Sequence, residues 1–97
     1  MDNHIVENLM RRLTWKQFCA ICSIADWVRM RGYAHTSGTG LLKKDRVASL
    51  IKRGLVVSAG NQWCYRSRRN KDGYILTTRG KEVYLQFLKA EKAGKFK

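Results

Sequence analysis

Residues 50–80 read LIKRGLVVSAGNQWCYRSRRNKDGYILTTRG, and they carry the end of one helix, a β-rich middle and the start of another helix. The front belongs to LLKKDRVASLIKRG (41–54), whose spacing predicts a helix with Val47, Leu50 and Ile51 inward. Gly54 is its stop, because glycine takes the left-handed closing turn at little steric cost. Asp45, Arg46, Ser49, Lys52 and Arg53 then fall on the outward arc. LVVSAGNQWCYRS (55–67) predicts two strands joined at Gly60-Asn61, a pair suited to a tight hairpin turn. Asn70 to Gly73 predicts a further turn, with Asn70, Asp72 and Gly73 as turn formers. YILT (74–77) predicts a third strand. Thr77 or Thr78 caps a final helix that carries Val83, Tyr84, Phe87 and Leu88 at helical spacing.

Upstream, Thr14 and Gln17 in TWKQ match a capping box, in which hydroxyl and amide satisfy free backbone N–H groups. The helix that starts there runs to Gly32. Phe18, Ile21, Cys22, Ala25 and Val28 share one face, and Trp15, Cys19 and Ile24 widen the stripe past half the circumference. A helix this apolar is central, with neighbours on both flanks. Trp27 projects opposite Phe18 and either meets another element or lies exposed. Residues 3–11 predict a short helix with Ile5, Val6, Leu9 and Met10 on one side, and GYAHTSGTG (32–40) predicts a loop. The expected order is helix, helix, loop, helix, β-meander, helix. That is an α+β chain, one domain over residues 1–97 with its core at about 13–90 and a frayed basic tail at 91–97.

The composition narrows the function. Hydrophobic residues make up 44% of the chain, enough for a packed core rather than a disordered basic tail. The net charge of +13 is uneven: residues 1–42 hold five Lys/Arg against three Asp/Glu, and residues 43–97 hold fifteen against four. Such an excess repels itself in the compact state unless a polyanion neutralises it. Nucleic acid is the first candidate, before an anionic membrane surface, an acidic protein or a merely solvated basic face. No run of about 18 apolar residues predicts a membrane span. Three cysteines and an N-terminus without an apolar signal core point to free thiols in a reducing cytoplasm.

Catalysis and cofactors find little footing. Cys19 and Cys22 spell a CxxC that Cys64, His4 and His35 could complete as a metal site. Both cysteines sit mid-helix, however, and buried apolar thiols are the expected reading, with no metal and no cofactor. The seven carboxylates are scattered, and neither histidine has an acid or nucleophile beside it in the sequence. GTGLLKK lacks the spacing and the preceding strand of a phosphate loop. The chain reads as a binder rather than an enzyme.

LIKRGLV (50–56), followed by YILTTRGKEVYLQFL (74–88), resembles winged helix-turn-helix DNA-binding domains, above all MarR-type and related small bacterial or phage regulators. Leu50, Gly54, Leu55 and Val56 match the family's recognition-helix end; Leu76, Thr77 and Gly80 match its last strand and final helix. LTWKQFCAI (13–21) is similar to the start of the family's first core helix. The resemblance implies a winged helix with three to four helices and a small antiparallel wing after residue 54. A strand before residue 40 would defeat the family assignment, and much of the function with it. One departure is already plain: the family's short helix before the recognition helix has only the glycine-rich span 33–40 to occupy, so it is minimal or replaced by a loop.

The resemblance also implies double-stranded DNA as partner and transcriptional regulation as role, in the cytoplasm or with the nucleoid if the source is bacterial. The helix at about 42–53 would enter the major groove with Lys43, Lys44, Arg46, Ser49, Lys52 and Arg53 as candidate contacts. Arg66, Arg68, Arg69 and Lys71 would form a basic wing at 66–71 on the phosphate backbone, charge favouring the 67–73 loop over Gly60-Asn61 as its tip. Two copies could pair through the terminal helices (3–11 and 78–92), or a monomer could bind beside another protein. The rival readings are an RNA or ribonucleoprotein binder, and an interaction module that inhibits a partner enzyme through Trp27 and the basic face. Trp63 and Tyr65 alternate with Cys64 and could stack on unpaired bases, but aromatics on a small sheet more often belong to the core, which is the expectation here.

Overall fold

A computed structural model describes residues 8, 10–37 and 40–92. Its elements, in chain order, are α1 (Trp15–Arg31), β1 (Ala34–His35), α2 (Lys44–Lys52), β2 (Val56–Cys64), β3 (Arg69–Leu76) and α3 (Thr78–Lys92). The arrangement is α+β with an antiparallel three-stranded sheet of order β1-β3-β2. Residues 10–12 are also helical, but most of the helix expected at 3–11 lies outside the described residues, as do 93–97 of the expected tail.

The capping box of α1 forms: Gln17 N–H donates to Thr14 Oγ1 at 3.2 Å, and Thr14 N–H donates to Gln17 Oε1 at 2.9 Å. At the other end Gly32 N–H donates to the Val28 carbonyl at 2.8 Å. Phe18, Ala20, Ile21 and Ile24 are buried, and Cys22, Ala25 and Val28 pack partly against them. α1 is central, touching α2, α3, β1 and β3. Phe87 of α3 stacks on Phe18 with ring centres 4.7 Å apart, and Trp15 meets the same ring edge-on at 5.6 Å.

α2 ends as its glycine requires. Gly54 has φ +76°, its N–H donates to the Ile51 carbonyl, and Leu55 N–H donates to the Leu50 carbonyl. This pair of bonds closes the helix and turns Leu55 and Val56 into the core beside Leu50. The chain returns to the same spot after the hairpin. Thr77 Oγ1 donates to the Gly54 carbonyl at 2.7 Å, Thr77 N–H to the Leu55 carbonyl at 3.0 Å, and Thr77 Oγ1 accepts from Gly80 N–H as the cap of α3. Gly80 is buried flush against the Leu55 backbone, where a Cβ would collide with the carbonyl. The two stretches 50–56 and 74–80 thus meet as one clamp.

The sheet departs from expectation in three places. First, 55–67 is not two strands: β2 runs through Gly60-Asn61, with a bulge between Ser58 and Gly60 and Gly60 at φ +82°. Second, Asn70, Asp72 and Gly73 are not turn formers but strand residues of β3, and the turn falls at 65–68 with Arg68 at φ +53°. The reason is the core pair at the base. Once Val56 faces Leu76, antiparallel pairing converges near the midpoint of the two, which is Arg66. Third, a strand does precede residue 40. β1 pairs Ala34 with Tyr74 and His35 with Gly73, covering the edge of β3 that β2 leaves open. Two residues carry no periodicity, so nothing in the sequence announced it. Gly73 is buried there because Gln62 and Tyr33 occupy the space its side chain would need.

Candidate nucleic-acid interface

The buried arc of α2 differs from expectation. Val47 and Leu50 are buried, but Ile51, expected inward, is 40% exposed. Ser49 and Arg53, expected outward, are half-buried, as is Arg46. Val47 and Leu50 keep their place, and the buried arc widens toward Ser49 and Arg53 instead of Ile51. The cause is tertiary. Gln17, whose backbone and Oε1 already serve the cap of α1, donates through Nε2 to Ser49 Oγ at 3.0 Å, which draws that side of α2 against α1. Arg46 is held as well: its Nη1 donates to the carbonyls of Gly40 and Leu41 at 2.8 and 2.9 Å. Those bonds, with Ser37 N–H to the Leu42 carbonyl at 2.9 Å, close the loop leading into α2. Among the described residues from Tyr33 to Lys43 there is no helix.

The face that α2 presents to solvent is Lys44, Ala48, Ile51 and Lys52, flanked by Lys43 and Asp45. Ala48 and Ile51 escaped the sequence reading because an apolar residue on a short helix is assigned inward by default.

Across from this face stands the β2–β3 hairpin. An open cleft of about 540 Å³ separates them, with Lys44, Ala48 and Ile51 on one wall and Asn61, Arg69 and Asn70 on the other. Of the expected wing cations, Arg66 and Arg68 lie exposed on the turn, and Arg69 lies exposed at the start of β3. Lys71 is half-buried, and its Nζ donates to the Thr36 carbonyl at 3.3 Å. Among the described residues the ion pair is Arg29–Asp26 on α1. The cations of α2 and of the hairpin therefore meet no carboxylate within ion-pair distance there, and their mutual repulsion stands uncompensated.

Cys64 is buried at the end of β2. Its pKa is lowered, first by the Ser67 backbone and, against the opposing effect of burial, by the Ser67 side chain, the Arg66 backbone and Lys71. Cys22, in contrast, is pushed up to about 11, first by burial and then by Cys19, Glu91 and Asp26. Among the described residues no group of three His, Cys, Asp or Glu is placed to hold a metal ion; His4 lies outside them.

Trp63 and Tyr65, expected in the core, are 45% and 65% exposed. Tyr65 meets Arg31 at the end of α1, and Trp63 meets Tyr65 edge-on, so both rings lie outside the core. Comparison of the chain with protein-family models, with curated proteins and with solved structures finds no match. Among the described residues no helix is long and apolar enough to cross a membrane.

Proposed function

We propose that this chain is a winged-helix protein that binds double-stranded DNA in the cytoplasm and regulates transcription. The helix at about 42–53 enters the major groove, and the basic hairpin holds the flanking backbone. One observation carries the reading: Lys44, Ala48 and Ile51 of the α2 face border the same cleft as Arg69 and Lys71 of the hairpin, and although Asp72 also lines it, none of these cations is ion-paired among the described residues. That pairing suits a duplex, whose groove admits a helix while phosphates on either side take Lys and Arg. Lys43, Lys44 and Lys52 on α2, with Arg66, Arg68, Arg69 and Lys71 on the hairpin, supply the positive charge. Ala48 and Ile51 offer apolar contact of the kind that reads a thymine methyl. Arg46 and Ser49 act from behind, holding the loop before α2 and α2 itself, while Arg53 is half-buried with its Nε unpartnered.

The resemblance to MarR-type regulators led to the expectation of no strand before residue 40, and β1 runs against it. β1 only borders the sheet, and it leaves the relation between α2 and hairpin untouched. The reading rests on that relation rather than on the family. Selection of bound sequences from a random duplex pool, repeated at about 50 and 200 mM salt, tests it. A reproducible preferred sequence whose affinity falls steeply with salt is the expected result. Recovery of no preference, with structured RNA outcompeting duplex DNA, would overturn it.

A further inference from the structure

The side of the hairpin facing the end of α1 holds a second cleft, of about 630 Å³, whose lining includes Trp27, Arg31, Tyr33, Tyr65, Arg66 and Lys71. It touches the α2 cleft at Thr36 and Lys71 but opens on the other flank of the hairpin. Arg31 lies between two rings, its guanidinium carbon 5.1 Å from the centre of Trp27 and 5.0 Å from that of Tyr65. Trp63 meets Tyr65 edge-on at 6.4 Å. The strand behind them is tied down: Tyr33 Oη donates to the Trp63 carbonyl at 2.8 Å, and the two ring nitrogens of His35 lie 3.2 Å from the carbonyls of Trp63 and Asp72, one or the other accepting its N–H according to tautomer. Among the described residues no carboxylate lines the cleft.

We propose that this cleft binds single-stranded nucleic acid, stacking unpaired bases on Tyr65 and Trp27 while Arg31, Arg66 and Lys71 meet the phosphates. The inference does not depend on the duplex reading. Exposed aromatic rings beside cations, without acids, ask for a partner that brings a flat π-face and negative charge together. An acidic peptide supplies the charge but has no use for the rings. A duplex supplies charge but keeps its bases stacked on one another, so its faces are closed to Tyr65 and Trp27. Unpaired nucleotides supply both, and proteins that hold single strands combine a basic groove with aromatic platforms in this way. The volume falls within the range of sites that enclose a small ligand, about 300–1,000 Å³. The rings are also preorganised, since Arg31 fixes Trp27 and Tyr65 before any strand arrives, which lowers the ordering cost of binding.

The test uses the full chain and a labelled oligothymidine of about 15 nucleotides, with an abasic oligonucleotide of equal length and polyglutamate as comparators. The wild-type chain is expected to bind oligothymidine with quenching of tryptophan fluorescence, and the abasic strand more weakly. Tyr65→Ala, at an exposed position that leaves the core intact, should weaken oligothymidine binding at least about fivefold. Its affinity for duplex should move less than about twofold. The Lys44→Ala/Lys52→Ala double variant should do the reverse, so failure of the duplex reading and failure of this one are told apart. Equal affinity for the abasic strand, unchanged binding by Tyr65→Ala, or equal displacement by polyglutamate would each overturn the proposal.

Discussion

At the scale of the residue, Gln17 and Ser49 explain why charge and hydroxyls on a helix are poor guides to a contact surface. Gln17 is buried, and its amide serves two masters, the cap of α1 and the hydroxyl of Ser49. Ser49→Ala should therefore cost about 1 kcal/mol of stability, by leaving the Gln17 donor unpaired, without changing which duplex is preferred. Urea unfolding together with sequence selection checks both halves; a changed preference at full stability would return Ser49 to the contact face. Cys22 makes a second residue-scale prediction. Burial raises its folded pKa to about 11 from the ordinary thiol value of 9.0, so the folded state favours the protonated thiol. That contribution is whole below about pH 9 and is lost as pH rises toward 11. The urea midpoint of the wild-type chain should accordingly fall more steeply over that window than that of Cys22→Ala, and parallel curves would refute the assignment.

At the scale of the element, the hairpin is the part whose reading changed most. Pairing of Val56 with Leu76 moves the turn to 65–68, so Arg66 and Arg68 form the tip, while Arg69 and Lys71 flank it on the strand. Arg66→Ala with Arg68→Ala should weaken binding to all duplexes alike and flatten the logarithmic salt slope by about 1–2 units. Titration at several salt concentrations measures this, and an unchanged slope would reduce the tip to a solvated turn. In the far half of β2 the Trp63 carbonyl accepts from Tyr33 Oη, just before β1, and lies 3.2 Å from His35 Nε2. Tyr33→Phe should raise amide hydrogen exchange at 61–72 while leaving the core helix α1 protected. Uniform protection in the variant would show that pairing with β3 suffices.

At the scale of the whole molecule, the clamp of Gly54, Leu55, Thr77 and Gly80 joins the end of α2 to the start of α3 and so closes the base of the hairpin. A methyl group at Gly80 has nowhere to go but into the Leu55 carbonyl. Gly80→Ala should destabilise the fold by about 1–3 kcal/mol or more, and the loss should appear as one cooperative transition because helix, hairpin and helix share the joint. Thermal unfolding followed in both the far- and near-ultraviolet tests that; two separated transitions would mean the clamp is not shared. The same joint sets the angle between α2 and the hairpin, so the proposed duplex interface and the core depend on one small contact.

The sequence by itself determined the punctuation of this protein. Thr14 and Gln17, Gly32, Gly54 and Thr77 could be read as caps and stops, because the backbone groups they satisfy lie within a turn or two along the chain. It also determined where the charge gathers, and Lys44, Lys52, Arg66 and Arg68 are exposed where that charge pointed. Tertiary structure alone decided the rest. The setting of α2 depends on Gln17, 32 residues from Ser49. The place of the turn depends on Val56 finding Leu76, and β1 exists because Tyr74 and Gly73 have an open edge. Trp63 and Tyr65 are exposed, and the partner Tyr65 finds is Arg31 at the end of α1 rather than the core. Each of these outcomes rests on a partner distant in the chain, and local propensity carries no information about which partner will arrive.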